Sequence, residues 1–186
     1  MKHMFVITFI LVYLFAGTEL GYTDVLPVWN HFTYNFQHGS IMHLVINSIV
    51  FFLFFRTLQN YFTSWQIAIA SLASAFIMSF FCIYDLPVVG ASGMIYAMIG
   101  MYFFLLVTSR MTYRDPLHLY VFLLSISAML VAGFLKENSA GLLHLLCLIA
   151  GFLAAMWIKK GERIHITWKN KHENGKRLSI DKKLRG

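Results

Sequence analysis

Ser92 stands in Gly90-Ala91-Ser92-Gly93, followed by Met94-Ile95-Tyr96-Ala97-Met98-Ile99-Gly100 within an apolar run. A hydroxyl flanked by small residues can reach an incoming carbonyl, but serine is a weak nucleophile until a base accepts its proton. His144, in another apolar run, is suited to that task, because an imidazole held out of water stays neutral. His43 and Asn47 are four residues apart, hence on one face of a helix, and both carry N–H groups suited to a developing oxyanion. Together these types offer acyl transfer. Singly, each has a plainer reading: a membrane serine usually bonds back to its own helix, asparagine often joins helices, and a lone histidine is more often structural. The functional reading rests on their convergence.

The elements that must position them follow from composition. Of 186 residues, 59% are hydrophobic and 12% charged, and the mean hydropathy is +0.67. An ordinary soluble domain does not carry that balance, so the chain is expected to be an all-α integral membrane protein. Six apolar segments are read: Met4 to Leu20, Ile41 to Leu58, Trp65 to Ile83, Pro87 to Val107, Leu117 to Leu135 and Ala140 to Ile158. Each holds 17 to 21 residues, close to the roughly 20 that cross a hydrocarbon core. The expected organisation is a six-span domain over 1–158 and a basic tail over 159–186.

Lys2, Arg56, Arg110, Arg114 and ten Lys or Arg after Ile158 fall on one side of these spans, and Lys136 on the other. The positive-inside rule therefore places both termini in the cytoplasm and turns Asp85 and Lys136 outward. The tail reads as a solvated topology anchor, with contact to anionic lipid as the sharper alternative. Cys82 and Cys147 both lie in spans without metal-ligand spacing. No metal, cofactor or nucleic acid is expected.

With this topology, Ser92 lies five residues past Pro87 and His144 four past Ala140, each on the order of 6 to 8 Å along its helix. They then share an outer layer with His43 and Asn47. Gly93, Ala97 and Gly100 form a small-residue stripe below Ser92, and Cys147, Gly151 and Ala154 form one below His144. Such stripes allow close approach of helices in lipid, which would make Ser92 and His144 neighbours. Tyr96, one turn below Ser92, would lean on the imidazole. No Asp or Glu falls within the second to sixth spans, so a dyad is expected in place of a triad.

The chain resembles the rhomboid family of intramembrane serine proteases. Gly90-Ala91-Ser92-Gly93 with Tyr96 and Gly100 is similar to the family's G-x-S-G-x-x-Y-x-x-x-G segment, His38 and the pair His43 and Asn47 to its loop and oxyanion elements, and His144 with Gly151 to its last core helix. The resemblance implies a six-helix bundle open to water on the outer side, and a serine endopeptidase that cuts single-pass membrane proteins near that face. It implies as setting the bilayer, here a bacterial cytoplasmic membrane. The long segment Thr18 to Ser40, with Trp29, Phe32, Tyr34 and Phe36, suits an interfacial loop. Asn30 stands where the family often has arginine, Tyr34 where histidine is common, Leu143 where a small residue is common, and Cys147 where glycine is usual. Two other classes compete with this reading: a rhomboid-like pseudoprotease that binds without cutting, and a haem protein using His43 and His144 as axial ligands.

Overall fold

The computed structural model describes residues 1–16, 19–23, 27–82, 84, 86–108, 116–135 and 140–184, and within these the side chains of all but 116–119, 132–133 and 163–184. Arg110, Arg114, Asp85 and Lys136, on which the orientation reading leans, lie outside the described residues. Those described form α1 Lys2–Phe15, α2 Asn30–Thr33, α3 Ile41–Leu58, α4 Ser64–Ser79, α5 Ser92–Thr108, α6 Pro116–Leu135 and α7 Gly141–Leu184. The one extended pairing among them is an isolated antiparallel bridge between Tyr22 and Val88. The chain divides into two compact units, Met1–Ala155 and Met156–Gly186. In the second, Lys159 and Glu162 pair at 2.8 Å, a half-exposed i,i+3 contact of the kind that adds little stability.

The all-α expectation holds for the described residues; α3 matches its apolar run, while α1, α4 and α5 are shorter than theirs. Ile41–Leu58 and Gly141–Glu162 are long and apolar enough to cross a membrane; Lys2–Phe15, Ser64–Ser79, Ser92–Thr108 and Tyr120–Val131 are apolar but hold 10–17 residues. At 1.5 Å per residue, α4 with its 16 residues covers about 24 Å, less than a hydrocarbon core of about 30 Å.

Local chemistry sets the ends. Ser40 caps α3 by accepting the His43 N–H, which fixes His43 in the first turn. Thr63 and Gln66 form a reciprocal capping box at the start of α4. That helix stops at Ser79, short of the expected Ile83, where the Ser79 hydroxyl donates to the Phe76 carbonyl at 2.6 Å. A hydroxyl that takes a backbone carbonyl competes with continuation of the helix.

Every residue of α5 from Gly93 to Met101 is buried. A helix apolar on all sides needs neighbours on all sides, and α3 and α4 both pack against it. Helix α1 packs on α3, where Phe9, fully buried, meets Phe51 edge-on at 5.3 Å. The loop between α1 and α3 docks through α2 onto α4. Trp29 and Phe32 in that loop are exposed, as an interfacial position requires, but Tyr34 is fully buried.

Candidate active site

The segment from Pro87 is non-helical, pairs at Val88 and turns at Gly90-Ala91 into Ser92, the first residue of α5. The expected position of Ser92 five residues inside a helix is thereby corrected. Proline disfavours helix in the residue before it, Val88 pairs as a strand, and Gly90 has φ +118°, in the left-handed region that favours glycine. Tyr22 N–H donates to the Val88 carbonyl at 3.1 Å and Val88 N–H returns a bond to Tyr22 at 3.0 Å, while Gly90 N–H donates to the Tyr34 carbonyl at 2.9 Å. The turn is thus held against the α1–α3 loop. Starting a helix at Ser92 leaves first-turn N–H groups without intrahelical acceptors, at the end of the helix that favours negative charge.

His144 lies in the first turn of α7, and its Nε2 is 2.9 Å from Ser92 Oγ. Both residues are half-buried. Tyr96 is buried and stacks on the imidazole, with ring centres 4.3 Å apart and planes 12° from parallel. The geometry expected of Ser92, His144 and Tyr96 is therefore what the fold produces. The seam between α5 and α7 explains it. A Cβ on Gly100 would overlap the Leu148 carbonyl oxygen, and one on Gly151 would overlap the Ala97 carbonyl oxygen, so the two backbones touch only because both residues are glycine. On α7 the buried stripe continues to Ala155, not to the expected Ala154, which is half-buried. Gly93 faces Tyr34 and Ala75 as well as Cys147: its Cβ would stand 2.9 Å from Tyr34 Oη, 3.2 Å from Ala75 Cβ and 3.6 Å from Cys147 Sγ.

His43 and Asn47 close the other side. A Cβ on Gly90 would lie 2.8 Å from His43 Nε2 and 3.1 Å from Asn47 Nδ2, which places both side chains against the turn that precedes Ser92. Asn47 Nδ2 is buried without a hydrogen bond. An unpaired amide donor is costly unless something fills it, and here it lies beside Gly90, two residues before Ser92. His38 sits behind His43, with ring centres 5.2 Å apart, and against Phe9 at 5.4 Å. Burial first and the neighbouring His43 second push its pKa down to about 4, against the pull of the Phe36 carbonyl.

Several residues that position the site were not anticipated. Asn30, which stands where arginine was expected, donates from its amide to the Glu19 and Gly21 carbonyls at 3.0 and 2.6 Å. It thereby ties the loop strand that carries Tyr22. Tyr34 donates to the Ala75 carbonyl at 3.1 Å, beneath Gly93. Tyr84 accepts the Leu143 N–H at 3.2 Å, across 59 residues. His31 and Ser79 meet at 2.8 Å. The departures from the family pattern at positions 30 and 34 marked two of these sites, but a sequence gives no sign of which carbonyl an amide or phenol will reach.

Among the described residues no group of three or more His, Cys, Asp or Glu is arranged to hold a metal ion. A family model described as the Rhomboid domain matches residues 26–161. No curated protein matches the chain.

Proposed function

The chain belongs to the rhomboid family of membrane proteins, and from that premise we propose that it is an intramembrane serine endopeptidase acting through Ser92 and His144. The observation that carries the reading is the 2.9 Å contact between Ser92 Oγ and His144 Nε2 at the start of two helices. Ser92 Oγ attacks the scissile carbonyl while its proton passes to Nε2 of a neutral His144, whose own proton is on Nδ1. Tyr96 holds the ring in plane. The tetrahedral oxyanion takes hydrogen bonds from Asn47 Nδ2, from the His43 ring and from first-turn N–H groups of α5, placed where charge develops. Collapse expels the amine with the proton from His144 and leaves an acyl-enzyme. Water, deprotonated by the same histidine, then releases the acid and restores Ser92.

The substrates proposed are single-pass membrane proteins, cut near the outer face of a bacterial cytoplasmic membrane. Six spans with both termini cytoplasmic fit the distribution of cations in the sequence, and the short apolar helices fit a locally thinned bilayer. The test is cleavage of a panel of single-span substrates by the purified protein in liposomes, with product ends mapped. Cuts within or beside the substrate span that vanish in Ser92→Ala support the reading. Binding of the same panel without any cut by the wild type overturns it in favour of the pseudoprotease. Labelling of a tail cysteine by an impermeant reagent outside intact cells, after Cys82 and Cys147 are replaced, would reverse the orientation.

A further inference from the structure

Tyr84 lies on the connection between α4 and α5, eight residues before Ser92, yet its hydroxyl oxygen meets the start of α7. Leu143 is the third residue of that helix, and its N–H is one of the donors for which helix geometry provides no internal acceptor. Tyr84 Oη accepts it at 3.2 Å. The next N–H, that of His144, makes the ordinary helical bond to the Ala140 carbonyl at 2.9 Å. A side chain from the segment leading to the nucleophile therefore caps the turn that carries the base.

The Tyr84 ring is itself placed. It meets the Tyr22 ring edge-on at 6.3 Å, and Tyr22 is bonded through its backbone to Val88 on both sides of the bridge. The connection is closed: from Val88 through Tyr22 and Tyr84 to Leu143, and from Val88 along the chain to Ser92. Burial first, against the favourable Leu143 N–H, pushes the Tyr84 pKa up to about 12, so its oxygen remains a neutral acceptor throughout the working range. The Ser92–His144 hydrogen bond joins α5 to α7 at their first turns, and the glycine seam below it fixes helix distance without fixing the rotation of the first turn.

We propose that Tyr84 is a positioning residue for His144: by accepting the Leu143 N–H, it holds the first turn of α7 in register with the segment that enters Ser92. The proposal rests on the Ser92–His144 reading for its effect on rate, and on the tether alone for its effect on structure. The test is Tyr84→Phe, which removes the oxygen and keeps the ring. Amide hydrogen exchange at Leu143 should quicken several-fold in the variant whether or not the protein is a protease. With a single-span substrate, kcat should fall about 5- to 20-fold with KM unchanged, since small misplacement of a reacting group lowers rate without lowering binding. Phosphonylation of Ser92 by a fluorophosphonate should slow by the same factor. In a His144→Ala background, Tyr84→Phe should slow it no further, because the tyrosine acts through the histidine. Unchanged exchange at Leu143 overturns the tether. Faster exchange with an unchanged kcat per folded molecule, or an equal loss in the His144→Ala background, overturns the positioning role. A wild type that Ser92-directed reagents never label would sink the hydrolase reading while leaving the exchange result to stand by itself.

Discussion

Among the described residues two serine–histidine hydrogen bonds of nearly equal length occur, and their surroundings differ in every respect that chemistry requires. Ser79 and His31 meet at 2.8 Å, Ser92 and His144 at 2.9 Å. Ser79 ends α4, is fully buried and donates its proton to the Phe76 carbonyl at 2.6 Å, so it accepts from His31 Nδ1. The His31 ring stacks on Phe80 with centres 4.1 Å apart and on Tyr22 at 4.7 Å. That serine has no proton to give and no room for a carbonyl. Ser92 begins a helix, is half-buried, and has an unpaired Asn47 donor beside the glycine that precedes it. A serine–histidine distance supports catalysis only where the hydroxyl keeps a proton to give and donors surround its oxygen, as at the start of α5.

The sharpest way to break this contrast is to remove each member of the proposed dyad. Ser92→Ala and His144→Ala should each reduce cleavage to background, and the double variant should be scarcely worse, because each disables the same step. In soluble serine proteases such losses reach about 10⁶ in kcat. Both variants should still insert and keep their thermal stability. Retained cleavage in Ser92→Ala, or fluorophosphonate labelling at another serine, would place the nucleophile elsewhere.

Next in size is the oxyanion side. Asn47→Ala should slow cleavage, with a ceiling of about 10²- to 10³-fold, the cost of one such donor in soluble enzymes; backbone donors at the start of α5 set the actual loss below that. His43→Ala should act in the same direction. Because Asn47 Nδ2 has no hydrogen bond in the resting site, its removal should cost little stability. A fall in folded protein that matches the fall in rate would instead make Asn47 a joint between helices.

How far the sequence reaches can be judged on these same residues. Ser92, His144 and Tyr96 were legible because helix periodicity and small-residue stripes determine which faces meet, and glycine at 100 and 151 leaves the two backbones one way to approach. The start of α5 was not, since hydropathy counts Pro87-Val88-Val89 as apolar whether the segment is helix or strand. Its pairing with Tyr22 is a contact 66 residues distant. Likewise α4 ends at Ser79, whose hydroxyl takes the Phe76 carbonyl and meets His31 from the α1–α3 loop, contacts that periodicity within α4 cannot register. The polar contacts of Asn30, Tyr34 and Tyr84 with backbone groups 9 to 59 residues away lie in the same blind region. They hold the site together nonetheless.

A third prediction concerns His38, which packs against Phe9 from α1 and His43 from α3 with the Phe36 carbonyl nearby. Its pKa is lowered to about 4 in the folded protein, against about 6.5 in an unfolded chain. Between these values the unfolded chain binds the extra proton, so stability rises with pH there and is lost as pH falls from about 6.5 toward 4. The full difference is on the order of 3 kcal/mol. Chemical denaturation at pH 7.5, 5.5 and 4.5 should show the wild type losing stability more steeply than His38→Phe. Parallel slopes would mean that His38 gains a partner on protonation that the resting structure does not supply.

The smallest expected effect isolates the structural member of the comparison. Ser79→Ala leaves the Nδ1–H of His31 without an acceptor in a site walled by Phe80 and Tyr22, while freeing the Phe76 carbonyl from a competing donor. An unsatisfied buried donor costs about 1–3 kcal/mol in water-soluble proteins, and polar contacts between membrane helices average nearer 0.6, so a loss of about 1 kcal/mol is expected here. For a chain of this length that is about 2–4 °C in Tm. The rate per folded molecule should change by less than about twofold, since Ser79 acts on the loop's docking and not on the reacting oxygen. Ser92→Ala must show the reverse, with activity gone and Tm unmoved. A large fall in kcat for Ser79→Ala at unchanged stability would mean that the loop anchored by His31 transmits its position through Tyr22 and Val88 to Ser92, and the two serine–histidine pairs would then be parts of one device.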